Sequence, residues 1–427
     1  MRFAWLFVFI FVLLAVPSHA QSPQKLSLQE AEQIAIQNHP QIQAATQLAS
    51  AAVSQVQEAR SVYFPQANGS LTGVDAENDS RIAAGALNNP TIYDRFAEGV
   101  TVSQLVTDFG RTHELVKSSS LHARAQQENI VTTRANVLLQ VNQAYFTVLR
   151  AQAVLQVAEQ TVESRQLVSD QITALQKSNL KSGLDVSFAN VDLAQAQLLL
   201  IQAKNDVQAS FAQLSAALGY SDQRTFELTD QPQQPAPPPE FGPLLQEALQ
   251  NRPEIISQGF SVRSAQSFAT AERDLYFPTI SAIGVTGLIP YRQDTLASRY
   301  AAAGFNVNIP IFNGWLFTAR KNEARSEAKA QEQFLRDLQD RIVREVRTAW
   351  LNANSGFQRL AVTEQLLNAA NQALDLAQSR YRLGLSSIIE LSQAQLNQTQ
   401  AQITNVSAIY DYETQTAVLN YQLGRMQ

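Results

Sequence analysis

The chain contains no cysteine. Disulfide bonds are therefore excluded as a source of stability, and so is a lipid anchor on an N-terminal cysteine. Charged residues are also scarce, at 16% of the chain with a formal net charge of -5. Neither a basic patch that would bind nucleic acid nor a strongly acidic tail is present. Glutamine, asparagine, serine and threonine supply the polarity instead, which suits surfaces that are wet but weakly charged.

Long apolar runs are also lacking, apart from one between Phe3 and Val16. Arg2 precedes this run, and small residues follow it before Gln21. A charged start, a short apolar segment and small residues at the cleavage point are typical of a secretory signal peptide. We expect residues 1–20 to be removed on export. No later run approaches 18 consecutive apolar residues, so we expect no membrane-spanning helix in the remaining chain.

Sequence signatures of catalysis are absent. The chain has no GxSxG motif and no phosphate-binding loop that ends in Gly-Lys-Ser or Gly-Lys-Thr. Three histidines remain after the expected leader: His39, His113 and His122. His113 and His122 do not have the i, i+4 spacing with which a helix presents two zinc ligands on one face. We therefore predict no catalytic residue, no cofactor and no metal site.

The chain is an internal duplication. Tyr63-Phe64-Pro65 returns as Tyr276-Phe277-Pro278, each after a helical pattern. Further along, residues of the two halves correspond at a constant offset: Val102 with Val307, Ala144-Tyr145 with Ala349-Trp350, and Leu218-Gly219 with Leu423-Gly424. We divide the chain into a first repeat, a proline-rich linker that is expected to be stiff and extended, and a second repeat: 21–229, 230–243 and 244–427.

Each repeat is predicted to run helix, two strands, long helix, break, helix. In "FNVNIPIF" apolar Phe305, Val307, Ile309 and Ile311 alternate with polar residues or proline, as in a strand with two different faces. The strands are expected near 62–74 and 95–106 in the first repeat, and near 277–290 and 300–312 in the second.

The helical segments carry apolar residues every seven positions, as coiled coils do. The helix from about Leu316 to Tyr381 is expected to be on the order of 100 Å long. The seven-residue spacing occurs in three predicted seams: Val346, Ala353, Leu360, Leu367, Leu374 and Tyr381; Val141, Val148, Leu155 and Val162; and Ile389, Leu396, Ile403, Tyr410 and Ala417. The polar outer faces fit either a water-filled duct or an ordinary solvated coiled coil.

The four strands allow two interpretations. They are long enough to cross a bilayer when tilted, but four strands cannot close a barrel, so two or three chains would have to pool theirs into about 8 or 12. The alternative is a soluble sheet that buries one face against the helices. The aromatic residues of the two "YFP" motifs fit either a membrane-interface belt or a plug between helices and sheet.

Both repeats are predicted to turn by the same device. At the constant offset Gly384 corresponds to Asn179, and not to Gly183, and both residue types easily adopt the left-handed conformation that ends a helix. Asp185 then corresponds to Glu390, and each lies early in the helix that follows, where an acid stabilises the helix start.

The duplicated plan, the paired "YFP" motifs, "TDFGRT", "PIFNGW" and "YRLGLSSIIEL" together resemble the TolC-type outer-membrane efflux protein family. The resemblance covers essentially all of the chain after its leader. It implies a mixed α and β, mainly α fold, in which a homotrimer forms an α-helical tunnel joined to a 12-stranded transmembrane β-barrel with four strands per chain. It also implies an outer-membrane location in a Gram-negative-type bacterium. Many relatives carry a lipidated N-terminal cysteine, and this sequence departs from them.

The same resemblance implies a passive exit channel for efflux or type I secretion. Its partners would be a periplasmic adaptor, an inner-membrane pump or ABC transporter, and outer-membrane lipid. The implied periplasmic gate comprises Glu390, Gln393, Asp185 and Tyr381. Gln393 stands where the family has a second acid, and Ser386 where it has a locking arginine. The implied adaptor-contacting tips comprise Asn179, Leu180, Gly384, Leu385 and Ser386.

Two other protein classes remain to be compared with this interpretation. A periplasmic coiled-coil adaptor or scaffold would carry one helical hairpin per chain with small β-domains around it, whereas this chain repeats hairpin and strand pair twice. A secreted hydrolase would need the catalytic motifs that are missing. Nothing in the sequence identifies the transported substrate.

Overall fold

The computed structural model describes residues 24–77, 93–229, 235–292 and 297–426. The expected signal peptide therefore lies outside the described residues. The elements in chain order are β1 (Gln24–Leu26), α1 (Leu28–Asn38), α2 (Pro40–Ser61), β2 (Gln66–Val74), β3 (Arg95–Thr107), α3 (Arg111–Lys177), α4 (Gly183–Ala217), β4 (Phe226–Leu228), α5 (Phe241–Asn251), α6 (Pro253–Arg273), β5 (Thr279–Arg292), β6 (Arg299–Asn308), α7 (Leu316–Arg382) and α8 (Ile388–Gln422), with a short 3₁₀ turn between α6 and β5.

The two repeats have matching helices. The long helices α3 and α7 each have 67 residues, which corresponds to roughly 100 Å at the helical rise. The returning helices α4 and α8 each have 35 residues. The mixed, mainly α fold class predicted from the sequence is confirmed. The short strands β1 and β4, which pair in parallel and join the two ends of the first repeat, were not predicted.

The short helices before the sheet are interrupted at a proline in each repeat. Pro40 and Pro253 occupy the first position of α2 and α6, where the missing N–H costs nothing. The single helix predicted before the strands of each repeat is therefore two helices. His39 is the N-cap of α2, and its Nδ1 accepts from the Gln41 backbone N–H at 3.3 Å. Burial lowers the His39 pKa.

The proline-rich segment between the repeats is tied to the helices over its described part. The Tyr412 hydroxyl donates to the carbonyl of Ala236, and the Trp350 indole N–H donates to that of Pro239 at 2.8 Å. The predicted linker ends earlier than expected, because α5 already begins at Phe241. Tyr145, the counterpart of Trp350, is fully buried and donates to the carbonyl of Leu26 at 3.0 Å.

The four long strands form one antiparallel sheet in the order β2-β3-β5-β6, so β3 and β5 join the two repeats. Residues 62–65 turn before β2, and β6 ends at Asn308 shortly before Pro310, which has no N–H for a ladder. By register and alternation, one face is exposed and mostly apolar, with Glu98 and Arg299 as charged residues on it. Its apolar residues include Leu71, Val100, Val102, Leu288, Phe305 and Val307. The opposite face carries mostly small and polar residues together with Ile283 and Val285: Ser70, Gly99, Thr101, Ser103, Tyr300 and Asn306.

The helices bury three main clusters of side chains. One surrounds Tyr145 in the first repeat, and one surrounds Ile342 and Val346 in the second. The third lies near the tips and contains residues of both repeats: Ile172, Ala189, Leu374, Ala377, Tyr381, Ile388, Leu391 and Ala394.

The predicted seam of α8 is wrong at its tip end. Ile389 and Leu396 are exposed, whereas Ile388 and Leu391 are buried. This part of α8 contacts both α3 and α7, and its buried stripe is rotated away from the seven-residue pattern as a result.

Helix α4 is, by length and composition alone, apolar enough to cross a membrane. The expectation that no helix would qualify was wrong, because polar residues interrupt every consecutive apolar run in α4. The helix packs along α3, and its uncovered side presents leucine and valine seven residues apart: Leu184, Val191 and Leu198.

Candidate functional site at the helical tips

The two hairpins turn with the same backbone geometry. Asn179 has φ +59° and Gly384 has φ +74°, so both are left-handed. In each turn the next residue donates back five positions: Leu180 N–H to the carbonyl of Leu175 at 2.9 Å, and Leu385 N–H to that of Arg380 at 2.8 Å. This bond is typical of a helix that ends at a left-handed residue. The proposed correspondence of Asn179 with Gly384 agrees with this geometry.

The serines that begin the returning helices are also equivalent, but the acids that follow them differ. Ser182 caps α4, and the Asp185 carboxylate accepts from the Ser182 N–H at 2.9 Å and from its hydroxyl at 2.7 Å. Burial raises the Asp185 pKa, but the bonds from Ser182 and the charge of Lys181 outweigh it, and the pKa is lowered.

Glu390 does not repeat this capping arrangement. Its backbone N–H donates to Ser387 at 3.4 Å, while its carboxylate turns to α7 and lies 3.3 Å from the guanidinium of Arg380. Both side chains are about half exposed. The negative charge expected at Glu390 is therefore offset by a cation of the same hairpin. Gln393, one turn further along α8, is exposed and donates to Asn397 at 2.9 Å.

Tyr381 joins the two hairpins. It lies at the end of α7 and is buried in the cluster near the tips. The Lys181 ammonium of the other hairpin lies 3.7 Å from the centre of its ring, a cation–π contact. The buried hydroxyl makes no hydrogen bond of normal geometry within the described part of the chain. Burial, and then the negative charge of Asp185, raise the pKa of Tyr381 to about 12.

The outermost residues of both tips are mostly apolar and exposed. Leu180 and Leu385 extend into solvent, as the tip assignment expects. Ser386 differs, because it is half-buried and its hydroxyl makes no hydrogen bond within the described residues. Three further exposed apolar residues, which were not predicted, lie beside them: Leu184, Leu383 and Ile389. The sequence feature that could have predicted them is an apolar residue outside the buried stripe of its helix.

A buried arginine between the hairpins was also missed. Arg165 of α3 donates to the carbonyl of Gln395 at 2.8 Å and to the Thr399 hydroxyl at 3.1 Å, both on α8. The available signal was its place among the small and polar residues Thr161 and Ser169, at helical spacing on one face.

The contacts described at the tips are packing contacts, hydrogen bonds and an ion pair. No group of three or more histidines and acids that could hold a metal occurs in the described ranges. His113 and His122 are both exposed on α3. The tip site instead combines a turn, an aromatic ring held by a cation, and a paired acid.

Comparison with known proteins matches both repeats to one family. A family model described as "Outer membrane efflux protein" matches residues 32–220 and 244–425. The chain is 24% identical over 378 residues to outer membrane efflux protein BepC of Brucella suis biovar 1, covering 86% of this chain and 78% of BepC. It is 22% identical over 426 residues to outer membrane protein TolC of Escherichia coli, covering 94% of this chain and 83% of TolC.

Solved structures agree on the fold. The chain superposes on a membrane protein from Pseudomonas aeruginosa with a TM-score of 0.81 at 21% identity, covering 93% of both chains.

Proposed function

Because the chain belongs to the outer membrane efflux protein family, we propose that three copies form the exit channel of a tripartite efflux pump or a type I secretion system. The protein is an outer membrane channel and not an enzyme. The alternative of a periplasmic adaptor or scaffold has no support, because both repeats match the channel family. The observation that carries the proposal is the exposed apolar face of an open four-stranded sheet at one end of very long helices.

The sheet supports a barrel shared between chains. Strands β2 and β6 lie at its two edges and have no further strand partner within the described residues. Unpaired backbone groups in lipid are costly, so a sheet with an apolar outer face must close. Three copies of four strands give the 12 strands that the family resemblance implies. The apolar face then contacts lipid, and the face of small and polar residues lines the lumen.

The helices support the same assembly. The exposed seam of α4 (Leu184, Val191 and Leu198) repeats at the coiled-coil spacing. A neighbouring copy would cover it and complete the wall of the tunnel. We therefore assign the apolar surface of α4 to contact between subunits and not to a membrane span.

The tips supply the proposed gate. Tyr381 is packed between the hairpins, with Lys181 over its ring and Asp185 beside it, and must leave this position when the hairpins separate. In a trimer, Glu390 would occur three times around the entrance, each copy paired with Arg380. Gln393 would add polar lining without charge. This gate therefore has a weaker negative field than the glutamates alone would produce.

The tip surface supports docking of the periplasmic adaptor. Leu180 and Leu385 are exposed at the turns, beside Leu383 and Ile389. The left-handed residues Asn179 and Gly384 form these turns, and the half-buried Ser386 lies beside them. A patch of leucines at the tip of a polar coiled coil is typical of a site that a partner protein covers. The inner-membrane pump would join through the adaptor.

Conductance in planar bilayers tests the gate. Replacing Tyr381 by alanine removes the ring between the hairpins, so we expect the mean conductance of the assembled channel to rise at least about tenfold, which corresponds to about 1.4 kcal/mol. Tyr412→Ala is the matched control, because Tyr412 is as buried as Tyr381 (6% exposed each) but lies far from the tip. Equal effects of the two variants would point to general destabilisation, and absence of conductance from every form would exclude a channel.

A further inference from the structure

The seam between α3 and α8 carries polar links at intervals along its length. Asn136 accepts from the Tyr421 hydroxyl at 2.6 Å, Arg150 pairs with Asp411 at 3.0 Å, and Arg165 binds Gln395 and Thr399. Among the α3–α8 links in the described residues, that of Arg165 is nearest the tip. Nearer the tip, the buried side chains of the two helices include the apolar Ile172, Ile388 and Leu391.

Arg165 differs from the other links because it is buried. Only 5% of the residue is exposed, whereas Arg150 and Asp411 are about 40% exposed. Burial lowers the Arg165 pKa, and the negative charge of Asp192 on α4 partly opposes this. An arginine stays charged in proteins, so its guanidinium needs the polar partners that α8 supplies. Separating α8 from it would leave a charge buried without a hydrogen bond.

A second contact ties the same layer to α4. The Ser392 hydroxyl of α8 donates to the Asp192 carboxylate at 2.5 Å. One hairpin therefore contributes a cation and an anion, and the other contributes a carbonyl and two hydroxyls. We call this set (Arg165, Asp192, Ser392, Gln395 and Thr399) the arginine layer.

The backbone of α8 is set up to bend at this layer. The Gln395 carbonyl accepts from Arg165 and also from the Thr399 hydroxyl at 3.1 Å, besides its place in the helical ladder. Such competition for one carbonyl weakens the helical bond and bends helices. A cavity of about 220 Å³ adjoins the layer, so nearby side chains have room to shift; its lining includes Thr161, Asp192, Leu199, Leu396 and Ile403.

We propose that the arginine layer is the fixed point of gating: it stays intact while the part of α8 between it and the tip swings away from α3. The inference rests on the proposed channel function, and it adds the point along α8 at which the opening movement stops. It makes Arg165 a positioning residue, which holds α8 while Tyr381 is released. The competing possibility is that the layer is a second lock that must break before the channel opens.

Engineered disulfides separate these two possibilities, because the chain has no cysteine of its own. The layer pair is Asp192→Cys with Ser392→Cys, placed in a chain whose gate is released by Tyr381→Ala. The tip pair is Asp185→Cys with Tyr381→Cys. Because this pair also removes the Tyr381 ring, its gate is released while the two cysteines are reduced. Single-channel conductance of each assembled protein is recorded in planar bilayers before and after oxidation, and again after reduction.

We expect oxidation of the tip pair to lower the open conductance at least about tenfold, equivalent to about 1.4 kcal/mol. Oxidation of the layer pair should change it by less than about twofold, the scatter expected of an uncoupled site. If the layer pair closes the channel as the tip pair does, the layer must separate on opening and the proposal is wrong. If the native chain and the Tyr381→Ala chain both fail to conduct, the proposed function fails as well.

Arg165→Met tests the arginine itself, with Arg150→Met as the matched control on an exposed link of the same seam. Without its fixed point α8 should stop at several positions, so we expect several open conductance levels for Arg165→Met and a single level for Arg150→Met. Oxidising the layer pair in the Arg165→Met chain should restore a single open conductance level. General destabilisation by Arg165→Met would not be reversed in this way. Identical level distributions for the two variants would overturn the proposal. If Arg165→Met does not assemble, the layer-pair result in the chain that keeps Arg165 decides.

Discussion

At the scale of single residues, the two tips show how one backbone turn can carry different electrostatics. Asp185 turns back and bonds Ser182, while Glu390 reaches across the hairpin to Arg380. The two acids differ because the second repeat has Arg380 near the end of its long helix, and the first repeat has no arginine at the corresponding position. The charge that the entrance presents therefore depends on a pair of side chains and not on the acid alone.

Removing the cation of this pair should strengthen the field at the entrance. We expect Arg380→Gln to raise cation over anion permeability and Glu390→Gln to lower it, each by about twofold, because exposed pairs are screened by solvent. Reversal potentials in a potassium chloride gradient measure both. Arg382→Gln is the control, since the Arg382 guanidinium binds the Ser379 hydroxyl and no acid within the described residues. If Arg382→Gln shifts the reversal potential as much as Arg380→Gln does, the effect reflects only the net charge of the tip.

Tyr381 should make the closed tip sensitive to alkali. Its pKa is raised from 10.0 to about 12 where it is packed between the hairpins, which we take as the closed state, so that state holds a proton that a released Tyr381 would already have lost. The stability of the closed tip is thus complete below pH 10 and is lost as pH rises toward about 12.

Conductance measured from pH 9 to 12 tests this dependence. The native channel should open progressively above pH 10, and Tyr381→Phe should lack the part that tyrosinate formation causes. Tyr412→Phe serves as the control, because it removes a buried hydroxyl far from the tip. Identical titrations of the native chain and Tyr381→Phe would contradict the assignment.

At the scale of elements, the sheet contains one closely fitted site. The Tyr300 ring of β6 lies over Gly287 of β5 and reaches Gly99 of β3. A side chain at either glycine would overlap this ring, so the three strands fit together because two of them lack a Cβ here. Tyr300 and the two glycines belong to one row of the register, on the face of small and polar residues.

This fit predicts that Gly287→Ala destabilises the sheet. The new Cβ would overlap the Glu98 carbonyl and the Tyr300 ring, and overpacking of this kind costs about 1–3 kcal/mol. Gly284→Ala, on the same strand with no atom within 4 Å of its new Cβ, should be neutral or slightly stabilising. The midpoint of thermal dissociation in detergent compares them. If the two variants have the same midpoint, the fit at Tyr300 does not contribute to stability.

At the scale of the whole molecule, a single chain leaves two apolar surfaces uncovered. One is the outer face of the sheet, and the other is the seam of α4. In the proposed trimer, lipid would cover the sheet face and a neighbouring copy would cover the α4 seam. Both apolar surfaces would then be buried only in the assembled channel.

A charge in the α4 seam should prevent this assembly. Leu198 is 66% exposed in the single chain, and burying a leucine contributes about 1.5–3 kcal/mol, three times over in a trimer. We expect Leu198→Glu to shift the protein from trimer to monomer in native mass spectrometry from detergent. Gln197→Glu adds the same charge on an exposed neighbouring position and should remain trimeric. A trimeric Leu198→Glu would move the subunit contact to another helix face.

The sequence by itself determined the duplication, the fold class and the turn at each tip. These features depend on local rules: alternation marks strands, sevenfold spacing marks long helices, and Asn179 and Gly384 can adopt the left-handed conformation. Family membership followed from the order of such features along the chain. Local rules were less successful where two elements meet, as the exposed Ile389 and Leu396 of α8 show.

Only the tertiary structure decided which distant side chains meet. Arg380 and Glu390 pair across a turn, Lys181 covers the ring of Tyr381 from another hairpin, and Arg165 reaches a carbonyl of α8 far along the chain. None of these contacts has a fixed sequence spacing, because each depends on how two long helices are rotated about their axes. That rotation is set by packing over the whole seam, and packing is a property of the folded chain.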